Sequence, residues 1–428
     1  MSPAILSIVI IAITLVLFLI PKMSLTITSI LAVCAMGLFG LTDGWSNVFN
    51  GFGNAAVLLI AGMGVVSQGI VETGLAQKVG TLIGKLCKGS EFMFILLCLV
   101  LGCALSAFIN GALVVAILLP ICDSLAVSSG GTITRKRSYF PIGLQGPMGN
   151  NLTAVSASSM VTCCAVLTDN GFRTLGVTEP TLIALPALIL TIIVYMFVVY
   201  PLSKKWLTYP DPVVEGVSVV DTDSEEWKAA HPVWRMVVIC VIMHAAIIAM
   251  VKGMNWGAAS LIAACLAVLT GCVGRKKAIT SISWTTCIIT ACAIGISAGL
   301  QKSGGGALLA QWIVDISGPL GQTPFGMCVV LFVIANLLSQ IMSDSGSVAC
   351  VVPITIAIAT SMGWDPIPMV ICTAMGVKVA LATPICVSCM TMTLPGGYKF
   401  SDYLKMGGIV TLTQSIGILI MTFLVYYM

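Results

Sequence analysis

The amino-acid sequence predicts an all-α membrane protein that crosses the bilayer many times. Of its 428 residues, 58% are hydrophobic and only 8% are charged, whereas a soluble domain carries about 25% charged residues. Lipid is therefore the solvent for most of the chain, which excludes a soluble enzyme. The net charge of +4 is also too small and too scattered for a nucleic-acid-binding surface.

Twelve apolar runs supply the predicted helices, since a membrane-spanning helix needs about 20 such residues. These runs are residues 4–20, 24–41, 53–71, 92–127, 139–168, 181–202, 233–251, 255–273, 282–300, 325–362, 366–394 and 406–427. The polar stretch 203–232 is interpreted as a cytoplasmic linker. It separates a first repeat, residues 1–202, from a second repeat, residues 233–428.

The two halves of the chain match each other. Three pairs of segments agree in the same order and at a nearly constant offset, namely 69–74 with 299–304, 115–121 with 348–354, and 153–160 with 383–390. Each match is weak alone, but three at nearly one offset indicate an internal duplication.

Two apolar runs, 92–127 and 325–362, are too long for one crossing at a helical rise of about 1.5 Å per residue. The first is interrupted at residues 110–112 (Asn-Gly-Ala) and the second at residues 343–346 (Ser-Asp-Ser-Gly). We predict that each run is a re-entrant helical hairpin whose tip lies near the middle of the membrane. Two ordinary helices joined by an outside turn are the alternative.

The distribution of Lys and Arg predicts the orientation. If the hairpins do not cross the membrane, each half has five spans. Because five is odd, the second repeat starts on the opposite side of the membrane from the first, and the two repeats are inserted in opposite directions. This arrangement places 16 of the 20 Lys and Arg residues on the cytoplasmic side, in agreement with the positive-inside rule. We therefore predict a multi-pass protein of the cell membrane, plasma or inner, with both termini outside.

Inverted repeats with broken helices that meet in mid-membrane are typical of secondary transporters. Non-helical backbone at that depth is tolerated only where it is buried in protein or lines a cavity. The free N–H groups of a half-helix favour an anion, whereas carbonyls at a helix end hold a cation. No Walker A pattern is present in the sequence, which disfavours ATP as the energy source.

Residues 106–112, leading to 118–121 (Leu-Leu-Pro-Ile), resemble the first hairpin of the divalent anion/sodium symporter family. Residues 382–385 (Ala-Thr-Pro-Ile) and 394–405 resemble its closing signature. These dicarboxylate and sulfate carriers belong to the ion transporter superfamily, and the similarity covers nearly the whole chain. It implies a homodimer in the bilayer with a scaffold part and an elevator-like transport part. It also implies a small anionic solute between the tips, sodium beside each tip, and no other cofactor.

The tips differ from the family pattern, which is Ser-Asn-Thr at both. Here they read Asn-Gly-Ala at 110–112 and Ser-Asp-Ser at 343–345, and the facing loops at 156–160 and 386–390 each end in Met. Sodium needs oxygen ligands, by the logic that governs calcium and magnesium. The second tip keeps its hydroxyl groups and gains a carboxylate.

Twelve residues at the tips and facing loops form the predicted site. The predicted substrate ligands are Asn110, Gly111, Ala112, Ser158, Ser345, Thr383, Ser388 and Lys378. The predicted cation ligands are Ser343, Asp344, Ser345, Ser156 and Cys386. Small polar residues also join helices in membranes, which is the alternative for the uncharged ones.

The two charged candidates carry further alternatives. A charge in mid-membrane costs about 2.5–3.5 kcal/mol on insertion scales, so Asp344 is predicted to bind sodium or a proton. It is alternatively, or also, the N-cap of the returning half-helix. Lys378 has four interpretations: it neutralises Asp344, replaces a lost sodium ion, binds a substrate carboxylate, or snorkels toward the cytoplasm.

The sequence therefore predicts a secondary active transporter of a small organic anion, a di- or tricarboxylate, coupled to sodium or protons. One alternative is an exchanger or permease for inorganic oxyanions or cations. The other is a non-transporting relative that only binds solute. An enzyme is disfavoured because no nucleophile, base and orienting residue occur at a suitable spacing.

Overall fold

The computed structural model describes residues 2–20, 23–129, 131–212, 224–384 and 387–428. Throughout these ranges the regular secondary structure is helical. The helices of the first half are α1 (Pro3–Leu19), α2 (Leu25–Leu38), α3 (Trp45–Phe49), α4 (Ala55–Glu72), α5 (Leu75–Leu86), α6 (Glu91–Ser106), α7 (Gly111–Ser128), α8 (Arg135–Asn150), α9 (Ser158–Asp169), α10 (Glu179–Val194) and α11 (Tyr200–Trp206). A π-helical turn, Tyr195–Val199, joins the last two.

The second half follows the same order. Its helices are α12 (Glu225–Ala230), α13 (Val233–Val251), α14 (Trp256–Leu269), α15 (Arg275–Thr280), α16 (Trp284–Lys302), α17 (Gly305–Ser317), α18 (Pro324–Ile341), α19 (Asp344–Ser361), α20 (Pro366–Lys378), α21 (Ser388–Thr391) and α22 (Phe400–Tyr426). Helices α16 to α22 repeat the order of α4 to α10, as a duplicated chain requires. The opposite insertion of the two repeats and the five crossings per half stay predictions.

Eight helical segments among the described residues are long and apolar enough to cross a membrane. They are Trp45–Glu72, Gly111–Ser128, Glu179–Trp206, Val233–Val251, Trp284–Lys302, Pro324–Ile341, Asp344–Ser361 and Phe400–Tyr426. Six shorter apolar helices accompany them. The predicted all-α polytopic membrane fold is confirmed.

Both long apolar runs break where the sequence predicts. Helix α7 begins at Gly111 after the cap residue Asn110, whose side-chain oxygen accepts the N–H of Ala112 at 2.9 Å. Helix α19 begins at Asp344, and the Ser343 hydroxyl caps it. The interpretation that Asp344 is itself the N-cap is therefore wrong. The four hairpin arms contain 16, 18, 18 and 18 residues.

Each half also contains a helix that is interrupted after its first part. Helix α8 ends at Asn150 and α9 begins at Ser158, whereas α20 ends at Lys378 and α21 begins at Ser388. We call residues 151–157 the first break and residues 379–387 the second break. Residues 385 and 386 lie outside the described ranges.

The helices can be divided into two groups that contact each other, mainly where α16 packs on α19, and both halves contribute to each group. In the first group α2 packs on α16 and α4 packs on α14. In the second group α6 and α7 pack on α8, α18 and α19 pack on α20, and α10 packs on α22. Helices α2 and α4 of the first half are equivalent to α14 and α16 of the second half. Each therefore packs on the equivalent of the other, as a two-fold relation between the repeats requires.

The described parts of the linker contact the helices. Helix α11 continues to Trp206, beyond the predicted end of the first repeat at 202. Asp211 then accepts the backbone N–H groups of Arg135 at 3.2 Å and Lys136 at 2.9 Å. The start of the linker is thus anchored on the first turn of α8.

Candidate functional site

Both hairpin tips and both breaks meet at one cavity of about 500 Å³. Its walls include eight of the twelve predicted site residues: Asn110, Ser156, Ser158, Ser343, Asp344, Ser345, Lys378 and Ser388. Residues from both halves of the sequence therefore converge here. What each of them binds stays a prediction.

At the first tip, two predicted ligands serve the geometry of the turn. Gly111 lies so close to α8 that a Cβ atom on it would approach the Gly146 Cα to 2.5 Å. The Ala112 N–H is held by the Asn110 side chain. Neither Gly111 nor Ala112 lines the cavity, and of this tip motif only the Asn110 side chain does.

The first break is hydrogen-bonded to the first tip. The Thr153 hydroxyl donates to the Ala107 carbonyl at 2.6 Å, and the Ser156 hydroxyl donates to the Asn150 carbonyl at 3.0 Å. The side-chain oxygen of Asn150 is buried and has no hydrogen-bond partner among the described residues. Since Asn150 also lines the cavity, the end of α8 beside the first break offers a neutral oxygen atom to a ligand.

At the second tip, a buried ion pair lies in the cavity wall. The Lys378 Nζ atom is 2.6 Å from the Asp344 Oδ2 atom, and the two side chains are only 6% and 10% exposed. The Ser339 hydroxyl donates to the other carboxylate oxygen of Asp344 at 3.2 Å. Asp344 lies in the first turn of α19 and Lys378 at the last residue of α20. Both helix dipoles therefore favour these charges where they lie.

This geometry selects among the interpretations of Lys378. Its ammonium group neutralises Asp344 at the cavity. The interpretation that Lys378 snorkels to the cytoplasm is wrong, because the side chain is buried and paired inside the protein.

The second break is fixed by Thr383. Its hydroxyl donates to the Gln340 carbonyl at 2.7 Å, near the end of α18. Thr383 does not line the cavity, whereas Ser388 does. Cys386, a predicted cation ligand, lies outside the described residues.

The cavity has further polar walls that the sequence analysis did not assign. They come from α4, from the turn between α15 and α16, from the first turn of α16 and from the end of α8: Ser67, Gln68, Ser281, Ser283, Thr286 and Asn150. A signal was present in the sequence, since Ser67 and Gln68 are adjacent polar residues that directly follow the apolar stretch 55–66. Asn150 is followed by a second Asn immediately before the first break.

The electrostatics of the cavity favour an anion. Asp344 and Lys378 are the charged residues among its described lining, and their charges cancel. Four helices of twelve or more residues, α7, α9, α16 and α19, begin at its wall. The N–H groups of a first helical turn carry partial positive charge. Four such ends around one space make a site for negatively charged oxygen atoms.

Comparison with known protein families supports this interpretation of the fold. A model of the citrate transporter family CitMHS matches residues 15–374. The chain belongs to the CitMHS citrate transporter family. This CitMHS membership confirms the predicted place in the ion transporter superfamily and the prediction of a transporter rather than an enzyme.

Individual relatives match part of this CitMHS chain. The uncharacterized transporter YfbS of Escherichia coli K12 is 31% identical over 183 residues, which are 42% of this chain and 30% of YfbS. Sodium/sulfate cotransporter 2 of Chlamydomonas reinhardtii is 25% identical over 153 residues, 36% of this chain and 17% of the cotransporter. The matched segments thus span less than a third of these relatives.

A solved structure shares the fold over the full length. The crystal structure of the YdaH transporter of Alcanivorax borkumensis superposes with a TM-score of 0.63, covering 99% of this chain and 98% of YdaH. The sequence identity is 14%. The CitMHS protein therefore has the fold of a polytopic membrane transporter.

Proposed function

We propose that this CitMHS protein moves a small organic anion, a di- or tricarboxylate, across the membrane, coupled to the flow of sodium ions or protons. The observation that carries the proposal is the single cavity at which both tips, both breaks and four helix N-termini meet. Its volume of about 500 Å³ lies within the range of about 300–1,000 Å³ for small-molecule sites.

The position of the cavity supports an elevator mechanism. Ser67 and Gln68 belong to the first packing group, whereas the tips and breaks belong to the second group. A cavity that holds a solute between a scaffold and a moving part would be lined by residues of both, as this cavity is lined by both groups. We therefore assign the first group to the scaffold and the second group to the transport part. Our proposal includes a homodimer in the cell membrane, with both termini outside and the linker in the cytoplasm.

A coupling cation has its best ligands at the first tip, the first break and the end of α8 between them. Asn110, Ser156 and the unpartnered oxygen of Asn150 are neutral oxygen donors in the cavity wall, and such donors suit a hard cation. Inorganic sulfate is a second candidate substrate, because sodium/sulfate cotransporters are among the relatives.

Uptake into proteoliposomes tests the proposal. Purified protein should accumulate labelled citrate, succinate or sulfate when a sodium or proton gradient is imposed, and the preferred solute should compete with the others. Thermal unfolding in the presence of each anion measures binding independently. Binding without flux under either gradient would contradict transport and support the non-transporting alternative.

Two serines of α19 provide matched variants. Ser345 lines the cavity in the first turn, whereas the Ser361 hydroxyl donates within the helix to the Ile358 carbonyl at 2.9 Å. Ser345→Ala should raise the half-saturating substrate concentration, with a loss of up to about tenfold for one hydrogen bond. Ser361→Ala should leave uptake unchanged. Equal effects of the two variants would contradict the assignment of this cavity.

A further inference from the structure

The second tip already contains a cation. The Lys378 ammonium group lies 2.6 Å from the Asp344 carboxylate and is nearly inaccessible to solvent. The Ser339 hydroxyl donates to the second carboxylate oxygen. Both oxygen atoms of Asp344 therefore have a partner from the protein.

A sodium ion does not fit beside this carboxylate in the observed arrangement. It would place a second positive charge next to the ammonium group, beside a carboxylate whose single negative charge that group already balances. Repulsion between two unit charges at such a short distance is strong in a site of low dielectric constant. Lysine also carries a compact point charge, like a monovalent metal ion.

We propose that the Lys378 ammonium group takes the place of the sodium ion at the second tip. This inference rests on the proposed transport function and specifies how the same site is coupled. Because Lys378 is covalently attached, its charge moves with the protein in both directions and is never released. The second tip then contributes no ion to the transport stoichiometry, and any sodium that drives transport binds at the first tip.

Lys378→Met tests this inference by exposing the carboxylate. We expect the variant to gain sodium binding: its Tm in sodium chloride should exceed that in N-methylglucamine chloride by a larger margin than for the wild type. Lys378→Met combined with Asp344→Asn is the matched control and should lose the gain. Lys378→Arg keeps a tethered cation beside the carboxylate and should show no gain in sodium binding. The proposal would be overturned if Lys378→Met had the wild-type Tm response to sodium. It would also be overturned if the double variant kept the additional sodium-dependent rise in Tm.

Folding of the variants is itself informative, since a buried carboxylate without a partner is destabilising. A Lys378→Met protein that stays monodisperse only in sodium supports the inference. Aggregation in both salts, while the double variant remains monodisperse, overturns it because sodium then fails to replace the ammonium group.

The wild type provides an independent measurement. Sodium titration of its uptake should give a Hill coefficient no greater than one, and a steeper dependence would refute a sodium-free second tip. If the wild type carries no flux, the proposed function fails, whereas the thermal comparison still decides the role of Lys378.

Discussion

The close approach of α22 to the second break makes a sharp prediction for Gly407→Ala. A Cβ atom on Gly407 would lie 2.0 Å from the Leu381 carbonyl oxygen, where an ordinary contact is 3.4 Å or more. Helix and break must therefore separate by more than an ångström. The neighbouring Gly408 has no atom within 4 Å of its Cβ position, so Gly408→Ala is a control in the same turn.

The magnitude follows from the hydrogen bonds one turn away. The Thr411 hydroxyl accepts the Leu381 N–H at 3.1 Å and donates to the Val379 carbonyl at 3.0 Å. The required separation stretches both beyond hydrogen-bonding distance. Their loss costs about 2 kcal/mol together, overpacking adds about 1–3 kcal/mol, and Ala recovers about 1 kcal/mol of helix propensity. We expect a net destabilisation of about 2–4 kcal/mol.

Thermal unfolding of the two purified variants measures this difference. Gly407→Ala should lower the Tm, whereas Gly408→Ala should leave it unchanged or slightly raised because only helix propensity changes. The displaced break carries Lys378 at its edge, so uptake should fall in the first variant alone. Equal Tm values for the two variants would refute the contact between α22 and the second break.

Two further substitutions test supports of the site. Thr383→Val removes the hydrogen bond to the Gln340 carbonyl and should lower the free energy of unfolding by about 1 kcal/mol without raising the half-saturating substrate concentration. Thr383→Ser keeps a hydroxyl group and should have the wild-type Tm. A change in substrate affinity without a change in Tm would instead identify Thr383 as a substrate ligand. Asp211→Ala removes the acceptor of the Arg135 and Lys136 N–H groups. The loss of this helix cap should lower the free energy of unfolding by about 1 kcal/mol. An unchanged Tm would show that this end of the linker does not stabilise α8.

The interruptions of the fold could be predicted from the sequence because they have local causes. Asn110 and Ser343 are cap residues inside apolar runs, and a helix begins directly after each. The duplication strengthened each assignment, since a break in one half recurs at a nearly constant offset in the other. The order of the helices and the polytopic class follow from the same patterns.

The partners within the site could not be predicted, since they depend on distances between helices. Asp344 and Lys378 are 34 positions apart in the sequence, and four interpretations of Lys378 fitted that separation equally well. Ser67 and Gln68 match no hairpin motif, and they join the site only because α4 packs beside the tips. The polar composition of the linker likewise gives no sign that Asp211 accepts backbone N–H groups of α8.

The two tips carry chemically different polar groups, and this difference limits where a coupling cation can bind. The first tip has an amide cap, and the adjoining end of α8 supplies a neutral oxygen atom, that of Asn150, without a partner among the described residues. The second tip has a carboxylate already neutralised by an ammonium group. A mobile cation gains most at oxygen atoms that are buried and unpartnered, because it displaces no charge there. The anion, in contrast, gains from the helix N-termini of both halves. Related repeats thus share the binding of the solute, while the neutral first tip is left as the place for an exchangeable ion.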